Sequence, residues 1–198
     1  MIFIYHQKIN DVWYAAAVEN DKVFATAFSP DNEEEALRHL LKSLPYNVPF
    51  QVTEKPSQPL AELLKTLKAI FDGNDVSPSS FKTAMDHLPS YTRRVLNCTS
   101  LIPVGYLTTY GAIAKVAGGS PRSVGRAEAS NPFPLLIPCH RVVRSNFSIG
   151  GYGLGEKVKL QILQMEDRGC KEPTWLKIND KTLPLFPIKH LRKNQGKN

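Results

Sequence analysis

The chain has 198 residues, of which 42% are hydrophobic and 22% charged, a balance typical of a globular protein with an ordinary core. This length is enough for one large domain or two small ones. No apolar run approaches the roughly 20 residues of a transmembrane helix, and the opening stretch lacks the features of a secretory signal, so we expect an intracellular protein.

Charge is distributed unevenly along the chain, whose formal net charge is +7. Residues 1–90 carry 8 Lys/Arg against 12 Asp/Glu, whereas residues 91–198 carry 17 against 6. This asymmetry predicts that the second half meets a polyanion. On charge alone, a solvated basic surface with a basic tail is the less favoured alternative.

The first half reads as strands followed by helices. Strand-like runs are MIFIY, DVWYAAAV and KVFATAFS, with ENDK as the turn between the last two. SPDNEEEALRHLLKSLP then predicts a helix that Asp31 or Asn32 caps and Pro45 ends. QPLAELLKTLKAIFDG predicts another, because its leucines recur on one face, and residues 73–80 form a turn-rich linker candidate.

The second half begins with predicted helices. SYTRRVLNCTSLIP is capped at Ser90, and TTYGAIAKVAGG starts at Thr108 or Thr109 and ends in a glycine pair. Ser120–Pro121 then opens a helix in PRSVGRAEASNP. Two short helices across a glycine-containing turn are a helix-turn-helix candidate, although many helical hairpins bind nothing.

The stretch NPFPLLIPCHRVV places Cys139 beside His140 behind a proline-flanked apolar run. A thiol is a weak nucleophile until it loses its proton, and an adjacent imidazole can accept that proton directly or through a water. Neighbouring residues on an extended strand point to opposite faces, so this pair requires a bend. Pro138 predicts the necessary stiffness there.

A carboxylate to orient the imidazole is available downstream. GEKVKLQILQMEDRG predicts a helix over residues 155–168, with Glu166 and Asp167 near its end. The residues alone leave three roles open for Cys139: a nucleophile, a small buried hydrophobic residue or a metal ligand. The three cysteines are spaced too widely for a disulfide framework or a zinc pattern.

Three stretches together resemble the O6-alkylguanine-DNA alkyltransferases: SPRSVG, NPFPLLIPCHRVV and GGYGLGEKVKLQILQMED. The family hallmark is Pro-Cys-His-Arg-Val within N-P-x-P-(apolar)₃-P-C-H-R, and the resemblance covers roughly residues 91–168. It implies an α+β protein with an RNase H-like α/β domain of antiparallel strands plus a helix over 1–85. A mostly helical DNA-binding alkyltransferase domain containing the helix-turn-helix would span 86–170, followed by a basic extension over 171–198 whose stretch from residue 187 we expect to be mobile.

The resemblance implies a single-use DNA repair protein, a methylated-DNA–protein-cysteine S-methyltransferase. It would flip O6-alkylguanine, chiefly O6-methylguanine, out of duplex DNA and transfer the alkyl group irreversibly to Cys139. His140 would be the base through a water, with Glu166 polarising it. Tyr110 would help to protonate the leaving guanine, and Asn131 would hydrogen-bond the backbone around the active-site turn.

The implied partner is double-stranded DNA that contains the damaged base. Arg122 would enter the base stack where the nucleotide rotates out, and Ser145 would touch the DNA backbone. Further DNA-binding candidates are Ser123, Arg126 and Thr109. Substrate-pocket candidates are Tyr152, Gly153 and Val142. We expect no cofactor, no metal and no membrane partner, and a monomer that acts in the cytoplasm on the nucleoid, or in the nucleus if the source is eukaryotic.

Some positions depart from the family pattern. The recognition helix reads RSVGRAEAS where relatives read close to RAVGGAM, so Arg126 replaces a glycine and Glu128 an apolar residue. A glutamate near DNA is repulsive unless it faces away or pairs with an arginine. Gly153 replaces a serine, which predicts a roomier pocket that tolerates adducts larger than methyl. We expect Arg141 to make a structural ion pair.

Two other classes of function are weighed against alkyl transfer. A lesion-binding helix-turn-helix protein without transfer activity is one, but relatives of that kind replace the cysteine. A thiol hydrolase using Cys139 and His140 is the other, but it needs an oxyanion hole and leaves the basic half unexplained. Salt-sensitive DNA affinity would argue against the hydrolase, and alkyl labelling of Cys139 against the pure binder.

Overall fold

The computed structural model describes residues 1–76 and 80–191, which divide into two compact units. The first unit comprises the described residues of 1–71, 75–88 and 131–136; the second comprises those of 72–74, 89–130 and 137–198. The linker predicted at 73–80 falls partly outside the described residues, and so does the end of the tail predicted to be mobile. The predicted domain boundaries at 85/86 and 170/171 stay predictions.

The first unit is built on a five-stranded sheet. Its strands are β1 (Ile2–Ile9), β2 (Val12–Glu19), β3 (Lys22–Ser29), β4 (Phe50–Val52) and β5 (Lys82–Thr83). The strands β1, β2 and β3 pair antiparallel, while β4 and β5 add in parallel at the two edges. The three strands predicted from the sequence are thus confirmed, with β1 extending beyond the predicted run.

Two helices accompany this sheet, α1 (Glu33–Ser43) and α2 (Gln58–Phe71). Asn32 caps α1 by accepting a hydrogen bond from the Glu35 amide, and glutamates occupy its first turn, where the helix dipole favours negative charge. Between sheet and helix the core is formed by small and aliphatic residues: Ile2, Ile4, Ala15, Ala17, Ala25, Ala27 and Leu40.

The run before the Cys-His pair is anchored within the first unit. The Thr26 amide donates to the Pro132 carbonyl and the Thr26 hydroxyl to the Pro134 carbonyl, both at 2.9 Å. Asn131 Oδ1 accepts from the Phe133 amide at 2.9 Å, which closes an Asx turn. These bonds hold the NPFP segment within the first unit.

The second unit combines helices with a four-stranded sheet. Its helices are α3 (Ser90–Thr99), α4 (Tyr110–Ala117), α5 (Pro121–Ala129) and α6 (Glu156–Met165). Its strands are β6 (Tyr106–Thr109), β7 (Val142–Val143), β8 (Thr174–Ile178) and β9 (Lys181–Pro187). The strand order is β7-β6-β9-β8, so the C-terminal hairpin of β8 and β9 completes the sheet beside β6.

Several local predictions need correction. Pro89, not Ser90, is the N-cap of α3 and supplies no side-chain bond, while α6 ends at Met165 with Glu166 as its C-cap. The predicted mobile tail from residue 187 is wrong for its described part, because Pro187 lies in β9 and Ile188 is only 5% exposed. Residues 192–198 of that tail lie outside the described residues.

A continuous apolar core joins α3, α4 and α5 to β9. It includes Val95, Cys98, Ile113, Val124, Ala127, Leu183 and Leu185. In the part of the chain that the structure describes, no helix has the length and apolar character required to cross a membrane.

Candidate active site

A tight backbone turn presents Cys139. Pro138 (φ −80°, ψ 62°) is the centre of an inverse γ-turn, in which the Cys139 amide donates to the Ile137 carbonyl at 2.8 Å. Cys139–Arg141 then form one turn of 3₁₀ helix. The bend that the adjacent cysteine and histidine require is therefore present. The Cys139 side chain is nearly buried, at 8% exposure.

Behind this turn lies a buried ion pair between Arg141 and Glu166. The guanidinium binds the carboxylate in a fork, Nε to Oε2 at 2.8 Å and Nη2 to Oε1 at 2.7 Å. The structural ion pair expected of Arg141 is confirmed. Burial acts to raise the pKa of Glu166, but His140 and Arg141 together lower it to about 2. Glu166 is consequently a carboxylate at neutral pH.

The charge on Glu166 determines the tautomer of His140. His140 Nε2 lies 3.0 Å from Glu166 Oε1, and an ionised carboxylate only accepts hydrogen bonds, so Nε2 carries the proton. The lone pair of the neutral ring is therefore on Nδ1, which is buried and has no hydrogen-bond partner among the described residues. Burial lowers the pKa of His140, against the raising effect of Glu166, and this keeps the ring neutral and able to accept a proton.

Two tyrosines keep their protons near the thiol. Burial, with Glu128 and then Cys139, raises the pKa of Tyr110 to about 12. Burial also raises the pKa of Tyr152 well above its ordinary value, and its hydroxyl is buried with no hydrogen-bond partner among the described residues. Both phenols are thus hydrogen-bond donors at neutral pH. Gly150 (φ 72°) permits the close packing, because a Cβ there would lie 3.2 Å from the Tyr110 ring.

Lys159 is a functional candidate that the sequence reasoning missed. It is fully buried in α6, and its ammonium donates to the Val142 carbonyl at 2.6 Å and lies 5.7 Å from the centre of the Tyr110 ring. Burial lowers its pKa to about 8, while Cys139 and Glu128 act to raise it. The sequence does contain an indication that Lys159 is buried, because this residue lies on the apolar face of its helix together with Ile162, three positions on.

The predicted pocket residues have different surroundings. Gly153 is exposed, and a Cβ there would meet nothing within 4 Å, so the space beside it is open. The side chain of Val142 is fully buried in the core of the second unit, and what it offers is the carbonyl that Lys159 binds. Asn131 belongs to the first unit, in the Asx turn described above.

The N-terminus of helix α5 is capped by serine side chains. The Ser120 and Ser123 side chains form a capping box, and Ser123 Oγ also lies 2.8 Å from the Tyr91 hydroxyl. Gly119 (φ 84°) is required before this cap, because a Cβ there would lie 2.6 Å from the Tyr91 oxygen. The Ser123 hydroxyl is therefore already occupied within the protein.

The remaining DNA-binding candidates divide by exposure. Exposed side chains are Arg122, Arg126 and Ser145. Thr109 is 8% exposed, and its hydroxyl caps α4 by accepting from the Ala112 amide at 3.1 Å. Glu128 is 7% exposed on the inner side of α5 and thus faces away from the surface that carries the arginines, one of the two arrangements that the sequence left open.

Comparison with known proteins bears on the same part of the chain. A family model described as "6-O-methylguanine DNA methyltransferase, DNA binding domain" matches residues 90–168. A methylated-DNA–protein-cysteine methyltransferase of Methanothermobacter thermautotrophicus is 43% identical over 111 residues, which are 56% of this chain and 63% of that protein. The match thus spans less than two thirds of this relative.

The match to a second relative spans most of both chains. The methylated-DNA–protein-cysteine methyltransferase of Methanocaldococcus vulcanius is 33% identical over 162 residues, 80% of this chain and 94% of its own. The chain belongs to the methylated-DNA–protein-cysteine methyltransferase family. The family membership expected from the Pro-Cys-His-Arg motif is therefore confirmed.

A solved structure extends this family likeness to the fold. The O6-methylguanine-DNA methyltransferase from the hyperthermophilic archaeon Pyrococcus kodakaraensis strain KOD1 superposes with a TM-score of 0.66 at 25% identity, covering 84% of this chain and 99% of that one. The mixed α+β class predicted from the sequence is thereby confirmed. Cys139, His140 and Glu166 all lie within the residues that the methylated-DNA–protein-cysteine methyltransferase family model matches.

Proposed function

We propose that this protein repairs DNA by moving an alkyl group from O6 of guanine, chiefly the methyl group of O6-methylguanine, onto Cys139. The observation that carries the proposal is the buried Arg141–Glu166–His140 arrangement directly after the cysteine. It leaves His140 Nδ1, a basic imidazole nitrogen, without a partner among the described residues, and His140 follows the thiol of Cys139 directly in the chain. The name of the relatives, methylated-DNA–protein-cysteine methyltransferase, states the same chemistry.

The transfer is a displacement at a saturated carbon. His140 Nδ1 takes the thiol proton of Cys139 through a water, and the sulfur forms its bond to the alkyl carbon as the carbon–O6 bond breaks. The electron pair of that bond moves onto the guanine, to which Tyr110 gives its phenolic proton. The proton on His140 then returns through water to the Tyr110 oxygen. The thioether has no route back, so each molecule acts once.

The electrostatics of the pocket support these roles. Tyr110 keeps its proton until a strong base appears, because its pKa is about 12, and a guanine anion is such a base. The Lys159 ammonium is a positive charge in the same buried region, where charges act strongly. We assign Tyr152 and Gly153 to the pocket wall, with the open space at Gly153 admitting adducts larger than methyl.

We further propose that α4 and α5 are the helix-turn-helix and that α5 is the helix that lies on DNA. Its exposed Arg122 enters the base stack in place of the rotated nucleotide, and the exposed Arg126 and Ser145 contact the DNA backbone. The charge of +11 on residues 91–198 supplies affinity that does not depend on sequence and weakens with salt. Ser123 and Thr109 act through the caps of the two helices, and Asn131 through its turn.

In this proposal residues 1–85 form an RNase H-like domain, residues 86–170 the alkyltransferase domain and residues 171–198 a basic extension. The antiparallel β1–β3 sheet followed by α1 supports the first assignment. The partner is duplex DNA that contains O6-alkylguanine. The protein binds it as a monomer, in the cytoplasm or, in a eukaryote, in the nucleus.

The direct test is the intact mass of the protein after incubation with a duplex that contains one O6-methylguanine. We expect a gain of one methyl group per molecule, mapped to Cys139 and absent in Cys139→Ser. The matched control is Cys98→Ser, which removes a thiol from the buried core of α3 and is expected to leave the transfer intact. Tight lesion binding without any mass gain would favour a damage sensor, and repeated turnover on esters without DNA a hydrolase.

A further inference from the structure

Glu128 is a buried acid that has no role in the mechanism proposed above. It lies on the inner side of α5 at 7% exposure, where a carboxylate is rarely found without a partner. The titratable groups that face it from neighbouring elements are Cys98 of α3, Tyr110 of α4 and Lys159 of α6, and Lys181 of the β8–β9 hairpin acts on Cys98 in turn. Its position couples it to the proton donor of the proposed reaction.

The hydrogen bonds of Thr99 indicate that Glu128 carries a proton. Thr99 Oγ1 lies 3.1 Å from the Val95 carbonyl oxygen and 2.5 Å from Glu128 Oε1. A hydroxyl has one proton, so it cannot donate to a carbonyl and to a carboxylate at once. Both contacts are satisfied if the carboxyl group donates to Thr99 Oγ1 and the hydroxyl donates to Val95.

The other carboxyl oxygen supports the same assignment. Glu128 Oε2 is buried and has no hydrogen-bond partner among the described residues. A negative charge shared onto such an oxygen costs much more than a neutral carbonyl does. Burial accordingly raises the pKa of Glu128 to about 7, although Thr99 and Lys159 act to lower it.

We propose that Glu128 is a positioning residue for the leaving-group side of the reaction: its neutral carboxyl group donates a hydrogen bond to Thr99, and its ionisation slows alkyl transfer. It touches no substrate atom and acts through Tyr110. A negative charge at Glu128 makes the loss of the Tyr110 proton harder, since it raises the pKa of that phenol. The inference rests on the proposed alkyl transfer.

The test compares single-turnover rates of methyl transfer for the unaltered protein and Glu128→Gln from about pH 6 to about pH 8.5. The introduced side-chain amide stays neutral and can donate to Thr99 as the acid does. We expect similar rates at the acidic end and a relative loss of about threefold or more in the unaltered protein above neutral pH. Changes at Cys139 and His140 are common to both proteins and cancel in the ratio. The matched control is Glu172→Gln, which removes an exposed carboxylate and should follow the unaltered protein at every pH.

A ratio that stays constant with pH would overturn the inference, because a purely structural role predicts a constant factor. If Glu128→Gln does not fold, Glu128→Met supplies the same neutral reference. Infrared difference spectroscopy tests the proton itself: a carboxylic acid band below neutral pH that disappears in Glu128→Gln supports the inference, and its absence overturns it. Complete lack of transfer in the unaltered protein contradicts the proposed function instead, and the infrared result is independent of that failure.

Discussion

Two glutamates of the second unit, Glu166 and Glu128, are both buried and yet differ in charge. Glu166 is fully buried at the end of α6, and its pKa is about 2. Glu128 is 7% exposed in α5, and its pKa is about 7. Burial acts in the same direction on both, raising the pKa from 4.5.

The hydrogen-bond donors near each carboxyl group explain why the two pKa values differ. Glu166 receives two N–H bonds from Arg141 and one from His140, whereas the Thr99 hydroxyl is the one hydrogen-bond partner of the Glu128 carboxyl group among the described residues. Hydrogen bonds from a cation stabilise a buried carboxylate enough to exceed its desolvation, and one neutral hydroxyl does not. The hydrogen-bond donors around a buried acid therefore decide, more than its degree of burial does, whether the acid is ionised or protonated at neutral pH.

The largest effect is expected from replacing Arg141, the main partner of the Glu166 carboxylate. We expect Arg141→Met to lower the free energy of unfolding by about 3–5 kcal/mol, since it leaves Glu166 as a buried charge without its main partner. Urea unfolding at neutral pH measures the change. The matched control is the exposed Arg144→Met, expected to alter stability by about 0.5 kcal/mol or less. Equal effects of the two substitutions would mean that the fork contributes nothing.

The second prediction concerns acid pH. Because the folded-state pKa of Glu166 is depressed from 4.5 to about 2, its contribution is fully present above pH 4.5 and is lost as the pH falls toward 2. The loss amounts to about 3 kcal/mol. We expect stability curves of the unaltered protein to fall over this window and those of Glu166→Gln to fall less. Parallel curves would show that Glu166 is not held ionised.

The third and smallest effect has the opposite sign. The folded-state pKa of Glu128 is raised from 4.5 to about 7, so stability is greatest below pH 4.5 and declines as the pH rises through 7. The decline is at most about 3 kcal/mol, and less if water reaches the ionised group. Chemical unfolding at several pH values should show Glu128→Gln gaining stability relative to the unaltered protein as the pH rises. A constant difference between the two would contradict a proton on Glu128.

Much of this site follows from local sequence. Pro138 before Cys139 predicted the bend, the Ser120–Pro121 pair predicted the start of α5, and the helical pattern over residues 155–168 placed Glu166 near the end of α6. Lys159 was overlooked because a lysine is ordinarily a surface residue, and only its buried carbonyl partner shows its use. The C-terminal hairpin was read as an extension because strand pairing with a distant segment has no local signal.

By itself the sequence determined the family and the α+β class and predicted a reactive role for Cys139 and His140, since these depend on a contiguous motif and on periodic apolar positions. The tertiary structure alone decided which acids are charged. The protonation state of a buried carboxyl depends on donors supplied by other elements: Arg141 reaches Glu166 from 25 residues away along the chain, and Thr99 meets Glu128 across 29. No local pattern encodes those distances, because folding brings the partners together and removes the water that would otherwise screen them.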